Sequence, residues 1–292
     1  MADQSLLDLA ALGTLVATDR LYVLTDPSGT PLDRYITGAT LAEFCRDTIG
    51  AALVQAGLIT ITVDDAGNTI TITSQDLFAP RTWLYLPGGA NGVTTPDAAA
   101  LDIAGDMEIV CRVALDDWTP ATEACLVGKA NQTALIHSWM LSATTGGALK
   151  FTHYNGAVDK VLTSAAHGFA DGTPKWIKVT FDVDNGAAGH TATFYQAADA
   201  AYEPSSWTMI GTAQTGAGAS TIANSAYAAS VGMTEDGLLP AVGKFGRAIV
   251  RTGIAGTVVA DCNLSTPWYP RLRDAATRVW SLTGSTYSWM VA

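Results

Sequence analysis

The sequence predicts a mainly β protein: a small N-terminal α/β segment, a β-hairpin, and one large two-sheet sandwich of jelly-roll type. Three observations predict this. From Trp83 onward the chain reads as about a dozen short strand-like runs. Turn chemistry falls between those runs, and no helical pattern separates them. The 292 residues are 48% apolar but only 15% charged, so a sizeable core must be covered by Thr, Ser, Asn, Gly and Ala.

Residues 1–57 carry the only helical character. Leu6, Leu9, Leu12 and Leu15 recur every third position, which suits one apolar stripe on a short helix. Arg20-Leu-Tyr-Val-Leu24 reads as a strand, ended by Asp26-Pro-Ser-Gly29, where Pro fixes φ and Gly tolerates positive φ. Thr40-Leu-Ala-Glu43 reads as a capping box, whose side chains satisfy the first backbone N–H groups of a helix. Leu41, Phe44, Cys45, Thr48 and Ile49 share one face of that helix, and Gly57 is its stop.

Residues 58–73 switch to period two, and 58–80 are assigned as a β-hairpin and oligomerisation neck. Ile59, Ile61 and Val63 alternate with threonines, Asp64–Asn68 makes a turn, and Ile70 and Ile72 alternate with threonines again. A lone hairpin of this size is marginal in water, so its Ile/Val face needs a cover: the next domain or sister chains.

Residues 81–292 form the sandwich. Strand runs are expected at 83–86, 107–114, 138–142, 149–154, 176–182, 191–195, 229–233, 243–250 and 286–291. Between them lie Pro87-Gly-Gly, Thr144–Gly147, Tyr154-Asn-Gly156, Asp171–Pro174 and Asn185-Gly186, with Thr212–Ser225 read as a loop. Trp83, Trp139, Trp176 and Trp280 fall inside strand patterns and are assigned to the core.

Charge and motifs narrow the function. Sixteen basic against 27 acidic residues give a net charge of −11, which disfavours phosphate backbones and anionic lipid, so neither nucleic acid nor membrane insertion is expected. The first residues lack the basic region of a signal peptide, and no window holds 18 uninterrupted apolar residues. The four cysteines lack a Cys-x-x-Cys and read mostly as buried thiols, with Cys111 and Cys125 the pair to check.

Residues 84–292 resemble the concanavalin A-like jelly rolls, in their laminin G-like branch. The resemblance runs through Leu86–Asp97 with Leu101–Ile109, Val113–Trp118, Leu126–Lys129, Pro174–Asp182 with Ala192–Tyr195, and Ala229–Met233 with Ala241–Arg251. The front end, with Asp19–Val23, Asp26–Pro31, Arg34–Thr37 and the capped helix, resembles N-terminal modules of bacteriophage structural proteins, as does the tail Arg278–Gly284. The resemblance implies a fibre, head spike or minor tail protein located in the virion, made in the bacterial cytoplasm. It further implies a homotrimer attached to capsid or tail proteins through residues 1–57.

Hydrolases of this fold carry a Glu-x-Asp-x-Glu strand. Here Asp106 precedes Glu108 but Val110 occupies the third position, so no enzyme is expected. Gly-x-Ser-x-Gly, Walker and His-Glu-x-x-His motifs are absent, and His137, His153, His167 and His190 lack metal-ligand spacing. No resident cofactor is expected, with calcium the one ion to consider. The laminin G-like resemblance allows calcium at a sheet rim, with Asp102, Asp106, Asp116, Asp117 and Asn131 as ligand candidates, or else as ordinary turn residues. Sugar recognition needs flat aromatic faces beside hydroxyl-binding groups. Trp118, Tyr154, Asn155, Tyr202 and Trp207 are the candidates, against a core or loop-packing role for each. The expected function is display of a lectin-like jelly roll for adhesion to host-surface polysaccharide. The alternative is a ligand-free decoration protein, and third a polysaccharide depolymerase.

Overall fold

The structure is a computed structural model that describes residues 20–22, 35–37, 59–64, 69–74, 82–265, 272–273 and 278–291. The chain divides into two units, Met1–Phe78 and Ala79–Ala292. In the first, β1 (Arg20–Tyr22) pairs antiparallel with β2 (Tyr35–Thr37), and β3 (Ile59–Asp64) with β4 (Thr69–Ser74). In the second pair Ile61 stands opposite Ile72 and Val63 opposite Ile70 in register. The leucine stripe, the turn at Asp26 and the helix from Thr40 lie outside the described residues.

The second unit is built of strands. In chain order they are β5 (Thr82–Pro87), β6 (Gly92–Thr95), β7 (Met107–Leu115), β8 (Ala124–Asn131), β9 (Ile136–Ala143), β10 (Ala148–Tyr154) and β11 (Asp159–Ala166). Next come β12 (Lys175–Asp182), β13 (Gly189–Ala198), β14 (Thr208–Met209), β15 (Gln214–Ala217), β16 (Ala229–Val231) and β17 (Val242–Thr252). The last are β18 (Thr257–Asn263), β19 (Leu272–Arg273), β20 (Val279–Thr283) and β21 (Ser288–Val291). One sheet runs β11-β10-β9-β8-β16-β6-β20-β19; the other runs β14-β13-β12-β7-β17-β5-β21, with β15 on β13 and β18 on β17. Every pairing is antiparallel, as a jelly-roll sandwich requires.

The core is the interface of the two sheets. Ile109, Cys111 and Val113 of β7 and Ile177, Val179 and Phe181 of β12 meet Leu126, Trp139, Leu141 and Phe151 from the opposite sheet. The four tryptophans assigned to the core are buried there or beneath a covering loop, Trp83 and Trp280 at 3% and 2% exposure. Cys111 and Cys125 are unbridged thiols. They belong to different clusters: Cys111 lies in the inter-sheet core, and Cys125 packs with Ala130, Met140 and Leu239. The Gly/Ala/Ser/Thr-rich stretch 212–225 is not loop throughout, since Gln214–Ala217 adds a strand beside Gly189–Ala192. Small residues allow that close pairing, because a side chain at Gly216 would run into the His190 ring.

Candidate functional site

The outer face of the nine-stranded sheet is unusual for a surface. Period-two alternation sends Glu108, Val110 and Arg112 of β7 away from the core. In register beside them stand Thr180, Lys178 and Trp176 on β12, and Arg251, Ile249 and Arg247 on β17. Thr193, Tyr195 and Ala197 of β13 extend the same face. Val110, Trp176 and Ile249 make a small apolar cluster that Ala197, Ala200 and Trp207 cover. All nine residues of β7 are therefore buried, although one side of a two-layer sandwich should meet water.

The cover is the loop between β13 and β14. Arg112, 1% exposed, binds Asp199 with both ends of its fork, Nε–Oδ1 at 2.7 Å and Nη2–Oδ2 at 3.1 Å. Arg251 binds Glu203 in the same way, at 3.0 and 2.6 Å, and reaches Glu108 at 2.6 Å. Bidentate pairs fix orientation as well as distance. The indole N–H of Trp176 donates to Ala200 O at 2.9 Å. Beyond Arg251, Arg247 holds Asp261 through 2.7 and 2.6 Å bonds. The Asp261 bond raises the Arg247 pKa; at Arg251 burial works to lower it, but Glu203 and Glu108 outweigh burial and the net direction is up.

Aromatic faces complete the site. The Lys178 ammonium lies 4.5 Å from the Trp207 ring centroid and 5.0 Å from that of Tyr195, while Arg112 stacks 4.1 Å over Trp83. Tyr202 lies in the same loop, 48% exposed. The loop thus carries a half-buried indole and an exposed phenol on a backbone pinned at Asp199 and Glu203. Glu108 and Glu203 both bond Arg251 Nη1, so the guanidinium fills the space between these carboxylates, where a glycosidic bond would have to lie.

Of the five sugar-binding candidates, Tyr202 and Trp207 share this surface. Trp118 does not: it is fully buried, with Phe169 and His167 edge-on at 4.9 and 5.2 Å. Its indole N–H donates to Thr173 O at 3.2 Å and its backbone N–H to Asp171, which lets a residue preceded by two aspartates enter the core. Tyr154 ends β10 in the other sheet, and Asn155 begins the β10–β11 turn, where its Oδ1 accepts from the N–H groups of Ala157 and Val158. Sequence reasoning missed Arg112, Lys178, Tyr195, Asp199 and Arg251. For Arg112, Lys178 and Arg251 a signal was available, as charged residues placed four apart within strands (Glu108 and Arg112, Lys178 and Asp182, Arg247 and Arg251); Tyr195 and Asp199 carried none.

The calcium candidates do not converge. Asp106 caps Val183 N–H, Asp116 accepts from Tyr85 OH, Asp117 caps Thr119, and Asn131 caps Ala134. Asp102 belongs to a different arrangement, in which Lys129 Nζ, 0% exposed, is bonded by Asp102 at 2.5 Å, Asp97 at 2.7 Å and Asn224 at 2.9 Å. The protein's own ammonium occupies the point where these oxygens meet. Among the described residues no group of three His, Cys, Asp or Glu side chains is placed to hold a metal.

The histidines are buried or bonded. His137 sits between Asp159 (2.5 Å) and Gln132 (2.8 Å), and His190 Nδ1 lies 2.8 Å from Gly218 O. Ser220 Oγ lies 2.8 Å from His153 Nε2, but His153 Nδ1 is buried with no hydrogen-bond partner. The ring packs against Phe151 and Phe181, with centroids 5.7 and 4.4 Å away. Burial, then the neighbouring His190 and Lys160, lower its pKa to about 4.

No family model matches the chain, and no curated protein matches it. Solved structures similar to it include a Bacteroides ovatus protein described as a candidate carbohydrate binder, at 11% identity and TM-score 0.47, covering 79% of this chain and 65% of that one. Domains LG4-5 of mouse laminin α1 are similar at 13% identity and TM-score 0.43, covering 75% and 51%. The Ruminococcus gnavus IT-sialidase CBM40 bound to α2,3-sialyllactose is similar at 12% identity and TM-score 0.43, covering 61% and 91%.

Proposed function

We propose that the sandwich is a non-enzymatic carbohydrate-binding domain whose site is the outer face of the nine-stranded sheet around loop 199–207. The observation that carries this reading is the loop itself. Two bidentate arginine pairs and an indole hydrogen bond hold it on the sheet, and it presents Tyr202 outward beside the half-buried Trp207. A sugar ring offers C–H groups to an aromatic face and hydroxyls to its polar neighbours; Glu203, Arg251 and Asp261 supply donors and acceptors within the same patch. A loop fixed before the ligand arrives loses little freedom on binding.

The test is equilibrium binding of a polysaccharide panel to the full-length chain and to Tyr202→Ala. Removing one stacking aromatic should weaken binding about ten-fold, equivalent to about 1.4 kcal/mol. Equal affinity of the two proteins, or no binding by either, would sink the reading.

Display of this domain on a bacteriophage fibre, head spike or minor tail protein, as a homotrimer attached through residues 1–57, belongs to the same proposal. It rests on the sequence resemblance. Its test is solution mass by light scattering, and a monomeric full-length chain refutes it. The ligand-free decoration alternative predicts instead that Tyr202→Ala leaves cell adsorption intact.

A further inference from the structure

We infer that the ligand of this face is a neutral saccharide and not an acidic one, an inference that rests on the carbohydrate reading above. An acidic sugar is recognised by placing its carboxylate or sulfate against a cation, preferably in the fork of an arginine. Beneath loop 199–207 the cations are Arg112, Lys178, Arg247 and Arg251, and each is already matched by a carboxylate of the protein.

The matching is close in geometry. Asp199 takes both ends of the Arg112 fork, Asp261 those of Arg247, and Glu203 those of Arg251. Glu108 takes a further bond from Arg251 and lies 3.8 Å from Lys178. Lys178 is spent a second time, over the rings of Trp207 and Tyr195. Four cations thus meet four carboxylates, and the patch carries no net charge. Lys244 is on the same face but beyond the loop, opposite Ala114 and Tyr85 in register and beside the Tyr85–Asp116 bond.

An incoming anion would have to displace one of these internal carboxylates. The displaced group is tethered next to its arginine, so it competes at high effective concentration. Were Glu203 to leave Arg251, one of the anchors of the loop that carries Tyr202 would go with it. At longer range, the chain's net charge of −11 repels acidic polymers before contact. Neutral hydroxyls meet none of these costs. They accept from guanidinium N–H groups and donate to carboxylate oxygens at lone pairs the ion pairs leave unused, so the pairs stay intact.

The experiment uses the full-length protein and two ligand panels matched in length: neutral glucans, mannans and galactans, and sialylated, uronate-containing and sulfated glycans. Binding is measured at low salt and at about 1 M salt, which shortens the screening length from tens of ångströms to about 3 Å. The expected result is binding within the neutral panel, changing less than about two-fold with salt and weakened about ten-fold by Tyr202→Ala. Binding of the acidic panel, stronger at low salt and dependent on Tyr202, overturns the neutral class while leaving the carbohydrate reading standing. Absence of binding to both panels overturns the carbohydrate reading itself.

Discussion

Lys129→Met is the perturbation that most directly tests how the sandwich rim is held. Methionine keeps the length of the lysine stem and its apolar contacts, so packing changes little. What it removes is an ammonium with no solvent exposure, bonded to Asp97, Asp102 and Asn224. Breaking a buried pair by deleting one partner costs roughly 3–5 kcal/mol, because the surviving charge is left uncompensated. Here two carboxylates survive, facing one another, but their side chains are 31% and 26% exposed, so water recovers part of the loss. The expected cost is therefore near the lower end, about 3 kcal/mol. For a domain of this size, about 2–4 °C per kcal/mol gives a melting point about 6–12 °C lower. Urea unfolding followed by tryptophan fluorescence, with m unchanged, provides the free energy. The triple variant Lys129→Met, Asp97→Asn, Asp102→Asn should recover most of it. A single-variant loss below about 1 kcal/mol would refute the reasoning and make Lys129 an ordinary surface pair.

Further outcomes follow from the same geometry. Burial lowers the pKa values of His153 and His167 to about 4 against an ordinary value near 6.5, so the unfolded chain takes up protons first on acidification. Stability from these groups is fully present above about pH 6.5 and is lost as pH falls towards 4, by up to roughly 1.4 kcal/mol per pH unit for His153; His153→Leu should flatten that acid limb in pH-dependent melts. Gly232 adopts φ +83°, and a Cβ there would overlap Leu86 Cδ1, so Gly232→Ala should destabilise by about 1–3 kcal/mol in chemical unfolding. Desolvation pushes the Cys111 and Cys125 thiols far above their ordinary range, so both should resist a thiol reagent at pH 8 until the sandwich unfolds.

The sandwich was legible in the sequence where strands obey a simple rule. The runs at Met107, Trp176 and Gly243 are rich in large apolar residues, and Gly, Pro or Asn marks the turns near them. The hairpin at Ile59 was equally plain. Strands such as Asp159–Ala166 and Thr257–Asn263 escaped because they are poor in large apolar side chains on at least one face and take their order from neighbours. The site was half legible. Tyr202 and Trp207 were found because aromatics beside Glu203-Pro-Ser-Ser206 suggest a loop surface. Arg112 and Arg251 were not, since pairing Arg112 with Asp199 spans 87 positions and Arg251 with Glu108 spans 143, a reach no local pattern records. Trp118 misled for the opposite reason: its polar neighbours in sequence do not accompany its ring into the core.

The strand order has a consequence for assembly of the domain. β20 lies against β6 in one sheet and β21 against β5 in the other, so two strands adjacent in sequence cover an edge in each layer. Until residues 279–291 are in place, β5 and β6, among the first to be synthesised, each present a bare row of N–H and C=O groups. Such rows are templates for pairing with other chains. A clipped product lacking those thirteen residues should therefore be sticky at two places at once, and its failure would be seen as insoluble protein rather than as a weaker ligand.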